Sequence, residues 1–393
     1  MKKRWQTKSL GDLCDVVGGG TPPKDKPAFY SGENPWATVR DMRQDVITEA
    51  EFRITKDAVK SSATNIIPSG NVVIATRVGL GKVCLLGQDT AINQDLRGVV
   101  PRNDNSLVIR YLYWWLKSIA DVIVAEGTGA TVQRVKLPFV KSLPIPVPPL
   151  AEQQRIVGLL DEAFEGIATA KATAEKNLQN ARALFESHLQ SVFTQRGKGW
   201  VEKSLEQIGK TQTGSTPKTS DQSQYGNYIS FVKPGDFNRD GTLDYEKDCL
   251  SESGAVGARK VPAGSVLMVC IGATIGKCGF CDRDVTTNQQ VNALAPGDGS
   301  SNRFIFYQML TEGFQRKVIH ASGQATLPII NKSKWSALSI WLPPTVAEQK
   351  KIAAKFDALS EETQRLAAIY QQKLAALEAL KKSLLHQAFS GEF

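Results

Sequence analysis

The sequence contains little histidine and little cysteine, with three and six of these residues among 393. So few histidines leave few candidates for general bases or metal ligands. Six unevenly spaced cysteines favour reduced thiols over a disulfide framework, so we expect no disulfides and a cytoplasmic protein. No uncharged apolar run reaches the roughly 18 residues that span a bilayer, and no apolar signal-peptide core follows the basic start. We therefore expect no membrane partner.

The composition is that of a globular protein, with 41% hydrophobic and 22% charged residues. The net charge is +9, and most of the excess lies in residues 1–150, which hold 20 Lys and Arg against 14 Asp and Glu. A basic excess fits a polyanionic partner, because neutralising DNA phosphates releases counterions. Many proteins of similar charge bind no nucleic acid, so charge alone leaves this question open.

An internal repeat is the strongest signal in the sequence, because two halves align at an offset of 195 to 196 residues. The matched points occur in the same order in both halves: Trp5 with Trp200, Thr21 and Pro22 with Thr216 and Pro217, Asp41 with Asp236, Gly81 and Lys82 with Gly276 and Lys277, Asn93 and Gln94 with Asn288 and Gln289, and Pro148 and Pro149 with Pro343 and Pro344. The period is far too long for a solenoid, so each copy should form one domain followed by an appendage.

Within each copy, short β-like runs precede apolar stretches with helical spacing, which predicts a mixed sheet and helices. Pro-rich segments at 143–150 and 339–345 end each globular part. Proline-free segments with apolar residues every three or four positions follow at 151–193 and 346–389. They predict helices about 65 Å long that pack on each other as a coiled coil.

The predicted fold class is therefore α+β. We expect a tandem pseudo-twofold repeat of two mixed α/β domains, joined by two long antiparallel coiled-coil helices. The expected boundaries are a first domain at 1–148, a central helix at 149–197, a second domain at 198–343 and a C-terminal helix at 344–393.

Two fragments that resemble catalytic or metal-binding motifs are incomplete. Residues 272–277 read GATIGK, one residue short of a phosphate-binding loop, and Cys278 stands where that loop has Ser or Thr. Cys278 and Cys281 have the spacing of half a zinc site, but no second such pair or His pair follows. The sequence predicts no catalytic residue, no metal site and no cofactor bound by this chain.

An antiparallel helix pair would relate the two domains by an approximate twofold axis, which matches the dyad of duplex DNA. Loops in which the copies differ are therefore candidates for DNA recognition. Segment 133–136 aligns with 328–331, and Arg97 aligns with Asn292. Different side chains at equivalent positions would read different bases. For any one of these residues, the alternative is a solvated surface side chain. The candidate DNA contacts are Arg77, Lys82, Arg97, Gln133, Arg134, Lys136, Lys233, Lys277, Asn292, Gln324 and Asn331.

The same motifs occur in the same order twice. In this arrangement the whole chain resembles the specificity subunit of type I restriction-modification systems. The resemblance rests on the turns at 18–22 and 214–217, the Asn-Gln pairs, and the segments PPLAEQ at 148–153 and PPTVAEQ at 343–349. It implies two target-recognition domains, each reading one part of an asymmetric bipartite site, with the helices fixing the gap. It also implies that catalysis lies elsewhere.

The partners implied by the resemblance are double-stranded DNA, two methylation subunits that use S-adenosylmethionine, and restriction subunits. The methylation subunits would pack on the helical region. We expect their contacts at the helix starts, at Glu152, Gln153, Ile156, Glu348, Gln349 and Ile352. Three alternatives stay open: a related system in which one partner combines methylation and cleavage, a coiled-coil scaffold that binds no DNA, and a nuclease or methyltransferase, for which the sequence shows no catalytic set.

Overall fold

A computed structural model describes residues 5–103, 106–129, 133–238, 240–323 and 327–393. The chain divides into a first unit, Met1–Glu175 with Gln372–Phe393, and a second unit, Lys176–Gln371. Each unit holds one copy of the repeat and part of each long helix. Among the described residues, no helix combines the length and the hydropathy needed to cross a membrane.

The first copy contains the following elements: β1 Gln6–Ser9, α1 Leu10–Leu13, β2 Cys14–Gly18, β3 Asn34–Ala37, β4 Val46–Ile47, β5 Phe52–Ile54, α2 Lys56–Lys60, β6 Asn65–Ile67, β7 Val72–Ala75, β8 Val83–Leu86, β9 Thr90–Ile92, β10 Leu96–Pro101, α3 Ile109–Ser118, α4 Ala120–Ala125, α5 Leu137–Ser142, β11 Pro144–Val147 and the long helix α6 Leu150–Thr194.

The second copy repeats this order: β12 Val201–Ser204, α7 Leu205–Ile208, β13 Gly209–Thr213, β14 Tyr225–Val232, β15 Cys249–Leu250, α8 Glu252–Gly257, β16 Lys260–Val261, β17 Val266–Val269, β18 Cys278–Phe280, β19 Val285–Thr287, β20 Val291–Pro296, α9 Asn302–Leu310, α10 Glu312–Ser322, α11 Lys332–Ser336, β21 Ser339–Leu342 and the long helix α12 Val346–Ser390.

Strand pairing follows the same order in the two copies, and the main sheet of the first copy has one additional strand, β4. The main sheet has the order β2-β10-β7-β8-β4 in the first unit and β13-β20-β17-β18 in the second. A second sheet has the order β5-β3-β9-β6 in the first unit and β15-β14-β19-β16 in the second, and β1-β11 and β12-β21 are antiparallel pairs. The predicted duplication of a mixed α/β domain is confirmed.

The main sheet is buried on both faces, which explains the uninterrupted apolar strands. In β7, Val72 and Ile74 pack into a core with α3, whereas Val73 and Ala75 pack into a second core on the opposite face. Strand β17 divides its side chains between two cores in the same way. Alternate residues of a strand face opposite sides of the sheet, so burial of both faces requires apolar residues at every position.

A buried glutamine attaches each long helix to its domain. Gln153, in the first turn of α6, is 1% exposed, and its Oε1 accepts from the backbone N of Val108 at 2.8 Å. Its Nε2 donates to the carbonyls of Ser106 and Pro148 at 3.2 and 2.9 Å. In the second unit Gln349 is 2% exposed and accepts from the backbone N of Ser301 at 2.8 Å. The partners Val108 and Ser301 are the N-cap residues of α3 and α9.

An acidic residue two turns further along each long helix makes a second attachment. In the first unit Asp161 accepts from Arg110 Nε at 3.0 Å and from Trp114 Nε1 at 2.7 Å. In the second unit Asp357 pairs with Arg303 and accepts from the Tyr307 hydroxyl at 2.6 Å. Each helix therefore continues rigidly from its own domain.

Within each unit the long helices run antiparallel, as predicted. In the first unit Leu160 shares a core with Leu385 near the end of α12, and Lys171 Nζ lies 2.7 Å from Glu378 Oε1. In the second unit the end of α6 packs on the start of α12, where the ring of Phe193 stacks on Phe356 at a centroid distance of 5.7 Å. The two helices have 45 residues each and lie within the predicted segments 149–197 and 344–393.

We expect Gln153→Ala to lower the free energy of unfolding of the full chain by about 1–3 kcal/mol, because the buried N–H of Val108 would lose its acceptor. The neighbouring Gln154 is exposed, so Gln154→Ala is the matched control and should change stability by less than about 0.5 kcal/mol. Urea unfolding checks both values. Equal stability of the two variants would contradict the role of Gln153.

Candidate nucleic-acid interface

Loops of the first unit meet at one end of the main sheet, in an arrangement that we call the first loop edge. Backbone hydrogen bonds join them: Gly20 N donates to Ile92 O at 3.0 Å, Thr76 N to Asp95 O at 2.8 Å, and Val135 N to Thr76 O at 2.9 Å. The first loop edge consists of residues 19–22, 76–82, 93–95, 133–136 and Arg97.

The second unit has an equivalent second loop edge. Ser215 N donates to Thr287 O at 2.9 Å, Cys270 N to Gln290 O at 2.7 Å, and Ile330 N to Cys270 O at 2.9 Å. These bonds correspond to those of Gly20, Thr76 and Val135 in the first unit. The second loop edge consists of residues 214–217, 270–277, 288–290, 327–331 and Asn292. The two edges thus have equivalent backbone hydrogen bonds.

Two guanidinium groups lie side by side on the first loop edge. Arg97, on β10, pairs with Gly18 of β2, where an added Cβ would lie 2.8 Å from Arg97 Nη1. Arg77 Nε lies 3.6 Å from Asp95 Oδ1. Partial burial and the nearby charge of Arg77 lower the pKa of the Arg97 guanidinium. The group stays charged, and an anion would relieve the repulsion between the two cations.

Segment 133–136 adds further polar side chains to the first loop edge. Val135 is 7% exposed and holds the segment on the domain, whereas Gln133, Arg134 and Lys136 are exposed. The Arg134 backbone pairs with Thr128 through bonds of 2.9 and 3.1 Å. The first loop edge therefore includes six predicted DNA contacts: Arg77, Lys82, Arg97, Gln133, Arg134 and Lys136.

The lysines of the repeated Gly-Lys pairs have a structural partner that sequence reasoning missed. Lys82 Nζ donates to Met42 O at 3.5 Å, and Lys277 Nζ donates to Phe237 O at 3.3 Å. Met42 and Phe237 are themselves equivalent under the repeat. Both lysines are exposed, and an ammonium group has three donors, so this bond leaves capacity for a phosphate.

The second loop edge has different side chains at the positions of the arginines. Ile271, directly after Cys270, takes the position of Arg77, and Asn292 takes the position of Arg97. Asn292 was predicted to read DNA, but it is 2% exposed, and its Oδ1 accepts from Thr213 Oγ1 at 2.8 Å. Thr213 occupies the position of Gly18 and fills the space that Arg97 uses in the first unit. Burial does not support a direct DNA contact for Asn292.

Two other predicted contacts of the second unit have intramolecular partners. Asn331 is exposed, but its Oδ1 accepts from Lys334 N at 2.9 Å and caps α11. Lys233 Nζ pairs with Asp248 Oδ2 at 2.9 Å. Gln324 lies outside the described residues. These partners could not be read from the sequence, because each depends on a local turn or on a distant loop.

The predicted partner contacts at the helix starts need correction. Gln153 and Gln349 are buried by the attachments described above, and Ile156 is 0% exposed within the first unit's core, so these three are not available to a partner. Ile352 is partly buried in the second unit's core. Glu348 is exposed, and its backbone N donates to Thr345 Oγ1 at 3.2 Å, which caps the helix.

Glu152 is half-buried in the first turn of α6, where it pairs with Arg155 at 2.8 Å. Of the predicted partner contacts, Glu152 and Glu348 therefore keep the most accessible charged groups.

Cys278 and Cys281 do not form half of a metal site. Cys278 packs with Met268 on one face of the sheet, and Cys281 packs with Leu267 in the core on the other face. Burial raises the pKa of the Cys281 thiol to about 11, so the thiolate is disfavoured. No group of three or more His, Cys, Asp or Glu residues that could hold a metal ion is found in the described ranges.

Sequence reasoning also missed a polar contact present on both edges. The Thr21 hydroxyl donates to Gln94 Oε1, and the Thr216 hydroxyl donates to Gln289 Oε1. The signal was present in the repeated Thr-Pro and Asn-Gln pairs, but the contact between them became evident only in the folded chain.

A duplicated α/β domain with matching loop edges and two long helices defines a class of DNA-specificity proteins. The family of the type I restriction modification DNA specificity domain matches residues 2–179 and again residues 197–378. The chain belongs to this family, as its resemblance predicted.

Similar proteins and solved structures agree with this assignment. The EcoR124I/EcoR124II specificity subunit of Escherichia coli is 35% identical over 162 residues, which span 39% of this chain and 40% of that subunit. The MjaIX specificity subunit of Methanocaldococcus jannaschii is 24% identical over an alignment of 429 positions that covers 99% of this chain and 94% of that subunit.

Two solved structures share the fold over the full chain. One is a chain from work on complex assembly and conformational transition of the type I R-M system, with a TM-score of 0.81, 20% identity, and coverage of 100% of this chain and 99% of that one. The other is the HsdS subunit from Thermoanaerobacter tengcongensis, with a TM-score of 0.64, 20% identity, and coverage of 100% and 98%. Their similarity supports the fold class.

We expect Asn331→Ala to lower the free energy of unfolding by about 1 kcal/mol, because α11 would lose its N-cap. Asn331→Asp should keep wild-type stability, since aspartate caps a helix as well as asparagine does. Chemical unfolding of the full chain measures both. An alanine variant as stable as the wild type would argue against the cap. Weaker duplex binding by a stable Asp variant would assign this side chain to DNA.

Proposed function

We propose that each domain of this type I specificity subunit reads one half of an asymmetric bipartite DNA site. The observation that carries the proposal is that the two loop edges have the same backbone hydrogen bonds and different exposed side chains. A shared backbone frame would dock in the same manner on two DNA segments. Different side chains on that frame would then recognise different bases.

The first loop edge has the chemistry of a basic reading surface. Arg97 and Arg77 suit bidentate bonds to the O6 and N7 atoms of guanine, or contacts with phosphate. Exposed Arg134 and Lys136 add positive charge beside them. The second loop edge has Ile271 and a buried Asn292 at the arginine positions, so its half-site would be read by other side chains.

We infer that the chain is not itself an enzyme and that its partners catalyse the reaction. Two methylation subunits would bind the helical region and modify adenine with S-adenosylmethionine, and restriction subunits would join this complex. Exposed apolar side chains on the long helices support a docking role. Leu184 on α6 and Leu380 on α12 occupy equivalent positions under the repeat and are 54% and 47% exposed. Glu152, Glu348 and Ile352 lie at the helix starts.

The proposal is tested by mapping adenine methylation with single-molecule sequencing in source cells, with this gene intact and deleted. We expect one split, asymmetric motif to disappear on deletion. If none disappears, co-expression of the chain with its methylation subunit in a methylation-free host should create that motif. A host that gains no motif would contradict the proposal.

The same assay assigns one half-site to the first domain. Arg97→Gln should relax or change one half of the motif and leave the other half intact, because losing one bidentate contact costs about 1–3 kcal/mol of base discrimination. Arg102 lies just beyond the opposite end of β10 and pairs with Asp15. Arg102→Gln is therefore the matched control and should leave both halves unchanged.

We further propose that α6 and α12 set the gap between the half-sites. Deleting residues 175–181 together with 368–374 removes seven residues from each helix and keeps the heptad register. At about 1.5 Å per residue and about 3.4 Å per base pair, the gap should shorten by about three base pairs. Methylation mapping measures the gap. Altered half-sites with an unchanged gap would refute the role of the helices.

A further inference from the structure

The repeated Asn-Gln pairs have no part in the function argued so far. On each loop edge, however, the glutamine accepts a hydrogen bond from the threonine of the Thr-Pro turn. The bond from Thr21 to Gln94 and the bond from Thr216 to Gln289 each join residues 73 positions apart. We call each of these contacts a Thr-Gln clamp.

Close backbone packing holds both clamps in place. A Cβ added at Gly19 would lie 2.2 Å from Asn93 O, and one added at Gly214 would lie 2.2 Å from Thr287 O. Any larger residue at either position would push the two loops apart. The Gly-rich turns are therefore needed to bring each threonine to its glutamine.

A tyrosine fixes the other side of each Thr-Pro turn. The Tyr30 hydroxyl donates to Pro22 O at 2.7 Å, and the Tyr225 hydroxyl donates to Pro217 O at 3.2 Å. These tyrosines also occupy equivalent positions. Each threonine is thus held between a closely packed glycine and an anchored proline.

The asparagine and the glutamine of each Asn-Gln pair have different roles. Asn93 is 5% exposed, and its Nδ2 donates to Asp95 Oδ2 at 2.9 Å. Asn288 is 9% exposed, and its Nδ2 donates to Gln290 Oε1 at 2.9 Å. The asparagines therefore stabilise their own turns.

The glutamines are more accessible than the asparagines beside them. Gln94 is half-buried and Gln289 is exposed. Within the described ranges the structure records no protein acceptor for the Nε2 of either glutamine. Since Oε1 already accepts from threonine, each clamp presents the amide as a donor, which suits an acceptor such as a phosphate oxygen.

We propose that Gln94 and Gln289 are equivalent anchor residues that each donate a hydrogen bond to the DNA sugar-phosphate backbone at their half-site. The inference rests on the proposed function. The two clamps join the same residue types, whereas neighbouring positions differ, with Arg77 replaced by Ile271. Side chains that read different bases must differ, but the phosphate backbone is common to both half-sites. The clamps therefore position both domains in the same register on DNA.

The test is fluorescence anisotropy of the full chain with two labelled duplexes, one with the mapped target and one with a scrambled sequence. Gln94→Ala and Gln289→Ala should each weaken binding to both duplexes by about tenfold, since each removes a hydrogen bond to a charged group. The salt dependence should stay as in the wild type, because a neutral amide displaces no counterion. Arg134→Ala provides the contrast and should reduce the salt slope by about one.

Gln88→Ala is the matched control. Its amide donates to Thr48 O at 2.6 Å in the turn that precedes β9, whereas Gln94 follows that strand. We expect it to leave affinity unchanged. Thr21→Val should weaken binding in the wild-type background and have no further effect in Gln94→Ala, because Thr21 acts only by orienting the Gln94 amide.

Each remaining outcome contradicts either the anchor assignment or the proposed function. Affinity lost only on the target duplex would make the glutamines base-reading residues and overturn the anchor assignment. Wild-type affinity of Gln94→Ala and Gln289→Ala, with a lower thermal midpoint, would leave them a structural role alone and also overturn it. A wild-type chain that binds neither duplex at low salt, with or without its methylation subunit, would overturn the proposed function itself.

Discussion

The arrangement of this protein depends on the attachment of each long helix to the domain that precedes it. A helix of 45 residues could leave its domain at many angles, but Gln153 and Gln349 fix the first turn. Their amides use both donor and acceptor groups inside the domain, and leaving such buried groups unpaired costs about 1–3 kcal/mol each. The ion pairs of Asp161 and Asp357 then hold the helix two turns later. The start of each helix is therefore attached to its own domain at two points, two turns apart.

The two copies share the interactions whose loss would destabilise the domain and differ in those whose loss would not. Backbone bonds such as Val135 N to Thr76 O recur as Ile330 N to Cys270 O, both at 2.9 Å. These groups are close to buried strands, where an unpaired N–H would destabilise the domain. Exposed side chains such as Arg134 have no such constraint, so the two copies differ there. The same fold can thus present two different sets of exposed side chains on an equivalent backbone.

Features that follow from the periodicity of the sequence were predicted, whereas features that depend on the register of strand pairing were missed. The repeat and the long helices were predictable, because helical spacing extends over more than 40 residues and buried strands give uninterrupted apolar runs. The burial of Asn292 was not predictable, since it depends on pairing with Thr213 across β13 and β20. Asn331 aligned with basic Lys136, yet its position at the start of α11 makes it a cap. Gln153 was predicted to contact a partner, but its side chain is buried and bonds to the chain's own domain.

The pairing across the first two strands of each main sheet explains how the two surfaces became different. Arg97 faces Gly18 in the first copy, and Asn292 faces Thr213 in the second. Glycine leaves room for a guanidinium that lies across the neighbouring strand, and a Cβ there would approach Arg97 Nη1 to 2.8 Å. Threonine removes that room but supplies a donor that satisfies the asparagine oxygen at 2.8 Å. An arginine opposite Thr213 would be strained, and an asparagine opposite Gly18 would lose its hydrogen bond. The two positions of each pair must therefore change together. The smallest structural unit that differs between the two edges is therefore a cross-strand pair rather than a single residue.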